Sequence, residues 1–182
     1  MTLEEIVEDF IRCRRQPAID EMERYKELPD LPTVIEQAAL SLTPEGKRHD
    51  HQRLNPPEAL VKAERSLQNK REELGRAANF DELHDLVEHN IRHPIWGIGE
   101  LATYDIAHRI GAKLGLAPTR VYLHAGTRKG AKKLGLSGRT LRVDQLPPVF
   151  SRLTAAEIED CLCHYRHVIG TDDPPKKRGG GC

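Results

Sequence analysis

The chain has 182 residues, 38% of them hydrophobic and 31% charged, with 28 basic and 28 acidic residues balancing to zero. That is room for one domain, or one domain with a helical arm, and enough length to bury a core. No apolar run approaches the ~18–20 residues that span a bilayer, the opening MTLEEIVEDF is too acidic for a secretory signal, and four scattered cysteines (Cys13, Cys161, Cys163, Cys182) do not make a disulfide framework, so a reducing, cytoplasmic setting without a membrane partner is expected.

Leu3, Ile6, Val7, Phe10 and Ile11 recur at helical spacing and predict an amphipathic helix over 3–15. Pro17 ends or restarts it, and a second helical stretch covers 18–27. Beyond Pro29 and Pro32, Thr33 caps a third helix carrying Val34, Ile35, Ala38 and Ala39. Residues 43–57 read as a loop. A charged helix follows over 58–74 with a thin stripe of Leu60, Ala63, Leu67 and Leu74, stopped by Gly75. Asn79 and Glu82 form a capping box for a helix that buries Phe80, Leu83, Leu86, Val87 and Ile91 and closes at Pro94. Gly97-Ile98-Gly99 turns into a helix over 100–114, ended by Gly115 and Pro118. Val121-Tyr122-Leu123 is short and extended, and 126–134 is helical with Gly135 as its stop. Thr154 and Glu157 cap a last helix with Ile158, Cys161, Leu162, Tyr165 and Ile169 on one face. The polar tail from Gly170 is expected to be disordered. With no alternating strand pattern of useful length, the expected fold is an all-α helical bundle: an arm over 1–42, a core domain over 43–169 and a tail over 170–182.

The zero net charge hides an asymmetry. Residues 106–142 hold nine of the basic residues and no Asp or Glu, so the rest of the chain is acidic by nine. A basic block of this length attracts polyanions and releases counterions as phosphates are neutralised. Only 4% of residues are aromatic, which weighs against a base-stacking surface for single strands.

Gly97-Ile98-Gly99, with Ala102 three positions on and an amphipathic helix on either side, resembles a helix-hairpin-helix motif. Two glycines permit the tight turn, Ile98 plugs the space between the helices, and the amides of Gly97, Ile98, Gly99, Glu100 and Leu101 are placed to hold a phosphate. The following layout, Val121-Tyr122-Leu123-His124 and then the basic AGTRKGAKKLG, is similar to the core of helix-hairpin-helix DNA glycosylases. That family's catalytic Asp would fall at Tyr122, and a phenol does not replace a carboxylate there. Asp105 and Asp144 are the nearby acids; they read as a polar helix position and a loop or cap residue. Over 46–163 the chain also resembles a family of uncharacterised bacterial proteins, through GKRHDHQR, GIGELATYDIAHRIG, VYLHAGTRKGA and EIEDCLC, which implies a bacterial origin and a shared fold.

His49 and His51 alternate in their loop and could hold a metal or act as a base near a phosphate, although no further ligand is evident. Cys163 and His167 share a helix face, but Cys161 does not join them, so no metal site and no cofactor is expected. Tyr104, Asp105, His108 and Arg109, with His124, Thr127 and Arg128, could converge on one phosphate or sugar, while Trp96 is expected to pack beneath the turn.

The leading expectation is therefore sequence-nonspecific binding of DNA or another nucleic acid. The hairpin amides would hold one phosphate, and Arg109, Lys113, Arg128, Lys129, Lys132 and Lys133 would hold others. One alternative is a nucleic-acid-processing glycosylase, lyase or nuclease using His49, His51, Asp105 or His124. Another is a protein-interaction module whose acidic N-terminal helices bind a protein partner.

Overall fold

The computed structural model describes residues 1–43, 46–48 and 55–170. His49, His51 and the tail from 171 lie outside the described residues. In chain order the helices are α1 (Leu3–Cys13), α2 (Arg15–Glu27), α3 (Leu31–Ala39), α4 (Pro57–Asn69), α5 (Arg71–Leu74), α6 (Phe80–Val87), α7 (Glu100–Leu114), α8 (Ala125–Lys133) and α9 (Ala155–His164). Strands β1 (Arg120–Tyr122) and β2 (Thr140–Arg142) flank α8. The all-α class holds. The strands form one antiparallel ribbon with Arg120, Val121 and Tyr122 opposite Arg142, Leu141 and Thr140. Among the described residues, no helix is long and apolar enough to cross a membrane.

Local chemistry sets most of the boundaries. Thr2 and Glu5 close a reciprocal capping box on α1, with bonds of 3.1 and 2.8 Å, and Thr154 with Glu157 does the same for α9. Pro17 and Pro32 are tolerated because each lies in the first turn of its helix, where amides have no intrahelical acceptor. The cap of α3 is Asp30, which accepts the Thr33 amide at 2.8 Å; Thr33 itself lies inside the helix. The expected helix over 58–74 is broken at Lys70 into α4 and α5.

The chain divides into two compact units, Met1–Asp20 with Pro118 onward, and Glu21–Ala117. This differs from the expected arm over 1–42 and core over 43–169. Ile6, Val7 and Phe10 of that arm have no exposed surface and lie in the first unit's core with Val121, Leu141, Phe150, Ile158 and Leu162. The apolar face of α1 is therefore not available to a protein partner. The second unit is built from α3, α4, α6 and α7, around Val34, Ile35, Leu60, Leu67, Leu83, Ile106 and Ile110.

In the first unit the Tyr165 hydroxyl donates to the Asp9 carboxylate at 2.6 Å. That bond, with Arg12 beside it, outweighs burial and holds the Asp9 carboxyl below its usual range. A carboxyl depressed in the folded state contributes stability that is full above about pH 4 and lost as pH falls through its folded value. Tyr165→Phe is expected to cost about 1–2 kcal/mol at neutral pH and less at about pH 3. Urea denaturation at the two pH values measures this, and an equal cost at both contradicts it.

Candidate nucleic-acid interface

The glycine turn lies in the second unit. Asn79 caps α6 by accepting the Glu82 amide at 2.9 Å, while Glu82 bonds back to the Ala78 amide rather than to Asn79. The helix then loosens into a π-turn over Glu88–Arg92 before the chain reverses. Gly97 has φ +98°, a backbone region that favours glycine, and a Cβ there would meet the Pro56 ring at 3.0 Å. Ile98 is buried, and its amide bonds the Ile95 carbonyl at 3.4 Å, so this amide is committed within the turn. Gly99 is exposed and precedes α7 without a side-chain cap. Arg92, which sequence reading passed over, ties the two arms together by contacting Glu88 on one and Glu100 on the other. The i,i+4 spacing of Glu88 and Arg92 was the available signal.

Trp96 is 91% exposed, contrary to the expectation that it packs beneath the turn. Ile95 and Ile98 occupy the buried positions instead, and the indole between them faces outward. An exposed indole is uncommon, because Trp is highly buried on average.

The first half of the basic block does not face solvent as expected. Arg109 is 2% exposed, bonds Glu21 and Ser41 at 3.0 Å each, and stands with Arg24 over the Tyr25 ring. Burial disfavours its charge, but Asp105, Tyr25 and Glu21 outweigh that and hold its pKa above the usual value. It is a structural cation rather than a phosphate ligand. Lys113 bonds the carbonyls of Lys26 and Leu28 at the end of α2. Tyr104 is buried, with its ring 6.1 Å from Phe80 and 5.6 Å from His108. Of Tyr104, Asp105, His108 and Arg109, expected to meet on one phosphate or sugar, α7 turns Tyr104 and Arg109 into the unit.

The second half of the block behaves differently. In the first unit Arg120, Arg128, Lys129, Lys132, Lys133, Arg139 and Arg142 are all exposed, and no carboxylate lies between 118 and 142. Helix α8 buries Thr127, Gly130 and Ala131 and exposes the cations at 128, 129, 132 and 133, so one stripe of the helix is cationic. Arg128 donates to the Leu123 carbonyl at 2.5 Å and Lys133 to the His167 carbonyl at 3.2 Å. Among the described residues Lys129 and Lys132 have no such partner. On the ribbon Arg120 lies opposite Arg142, and Asp144 pairs with Arg142 at 2.9 Å. Like charges directly opposite destabilise a ribbon, so this pairing opposes stability.

Beneath the cationic stripe lies a polar cluster. His124, 3% exposed, contacts the carboxylate of Glu159, 7% exposed, through its Nε2. The Thr127 hydroxyl donates to Glu159 Oε1 at 2.7 Å and lies 2.8 Å from His124 Nε2. The Cys163 thiol is half-buried, and its Sγ, the Glu159 oxygen and the His124 nitrogen all lie within 4.8 Å of one another. His124 and Thr127 converge on Glu159. Glu159 gave no sequence signal, because an acidic residue in a helix reads as solvated. Of the other proposed catalytic residues, Asp105 serves the charge of Arg109, and buried His124 is engaged with Glu159.

No family model, no curated protein and no solved structure matches this chain.

Proposed function

We propose that the protein binds DNA or another nucleic acid through the sugar–phosphate backbone without reading sequence. The observation that carries this is the first unit's set of exposed cations: seven basic residues between 118 and 142, four of them on one stripe of α8, with no carboxylate among them. Lysines and arginines on one helix stripe neutralise phosphates and release counterions, and such contacts carry no base information. The exposed Trp96 and the α7 N-terminus beside Gly99 offer the second unit's own contact.

Anisotropy of labelled duplex DNA across a salt series tests the reading. Affinity is expected to fall steeply, with a log–log slope of about −0.9 for each phosphate contacted. Unrelated duplex sequences are expected to bind alike. Because Trp96 is the chain's single tryptophan, its emission reports on the hairpin separately, and quenching on DNA addition is the expected result. Absence of binding at low salt, or binding indifferent to salt, removes the proposal.

A further inference from the structure

We propose that His124, Glu159 and Cys163 form a site for one divalent transition-metal ion, with zinc favoured by the donor set. The three residues supply an imidazole nitrogen, a carboxylate oxygen and a sulfur. Imidazole and thiolate together select zinc over magnesium or calcium.

The fold brings these donors together by a specific device. Glu159 and Cys163 are four residues apart and share one face of α9. His124 is the N-cap of α8, the helix packed against α9. Two glycines on α8 permit the close approach. A Cβ on Gly126 would lie 2.5 Å from Cys163 Sγ, and one on Gly130 would lie 2.4 Å from the Leu162 carbonyl oxygen. A side chain at 126 would push the sulfur away from the histidine.

Charge separates this cluster from an ordinary buried hydrogen-bond network. Among the described residues, the partners of the Glu159 carboxylate are His124 and Thr127, and no lysine or arginine reaches it. A buried carboxylate needs compensation; protonated His124 supplies one charge, whereas a divalent ion supplies enough for the carboxylate and the Cys163 thiolate together. A second such group among the described residues, His84, Asp85 and Glu88, has an exposed member, and its Glu88 is already engaged by Arg92. Tetrahedral zinc places its donors about 3.3–3.8 Å apart, so His124 Nε2 and Glu159 Oε1, in direct contact here, part to admit the ion between them. Thr127, bonded to Glu159 Oε1 and 2.8 Å from His124 Nε2, positions both ligands. The half-exposed positions of Gly126 and Cys163 give the ion an entry path, and a coordination position remains for water.

Cobalt(II) titrated into the reduced, chelator-treated full chain without an affinity tag provides the test. One equivalent is expected to bind, with a thiolate-to-cobalt charge-transfer band that zinc abolishes. Cys163→Ser is expected to remove the band. Glu159→Gln is expected to weaken binding by more than tenfold, and Thr127→Val by about ten- to a hundredfold. Cys13→Ser and Cys182→Ser are expected to leave the band unchanged. Circular dichroism of each apo variant shows whether the fold survives, and Cys163→Ser, at a half-exposed position, is the variant on which the test rests. Failure of cobalt or zinc to bind overturns the proposal, as does a band that persists in Cys163→Ser or follows Cys13 or Cys182.

Discussion

Lys129→Ala with Lys132→Ala is expected to lower affinity for duplex DNA by about a hundredfold near 0.1 M salt. Each lysine that neutralises a phosphate contributes about 0.9 to the slope of log affinity against log salt, which near 0.1 M amounts to about tenfold in affinity. The double variant should therefore also flatten the slope by about 1.8. Both side chains are exposed and have no hydrogen-bond or ion-pair partner among the described residues, so the fold should not notice their removal. Arg109→Met provides the contrast. That guanidinium is buried against Glu21 and Ser41, and its loss should appear as instability of the second unit with an unchanged salt slope. An unaltered slope in the lysine double variant means that the stripe on α8 is not the contact surface.

Phe10→Ala is expected to destabilise the first unit by about 3–5 kcal/mol. A detachable N-terminal arm would tolerate this change, but Phe10 has no exposed surface and lies in the same apolar cluster as Phe150, Leu162 and Ile158. Truncating a buried phenyl group loses its transfer free energy and leaves a cavity. Whole domains are stable by only about 5–15 kcal/mol, so the effect should be plain in a denaturant melt. A cost under about 1 kcal/mol would mean that α1 does not form part of that core.

Much of the helix pattern was legible because its causes are local. Asn79 and Thr154 are caps whose side chains accept backbone amides three residues on, and α7 spans 100–114 as its glycine and proline punctuation indicates. The π-turn over Glu88–Arg92 was not legible, nor was β2, whose three residues are too few to show alternation. β2 exists because its register against β1 sets Leu141 opposite Val121, both buried.

By itself the sequence determined helical class, the caps at Asn79 and Thr154, and the segregation of nine cations into one acid-free stretch. Those properties depend on neighbours within about one turn, or on composition alone. Tertiary structure decided which of those cations reach solvent: Arg109 is drawn into a buried ion pair, while the stripe on α8 stays outside. It also turned Trp96 outward and set Glu159 against His124, 35 residues earlier. These outcomes depend on which side of each helix is used for packing, and that is settled by volume and charge brought from distant parts of the chain.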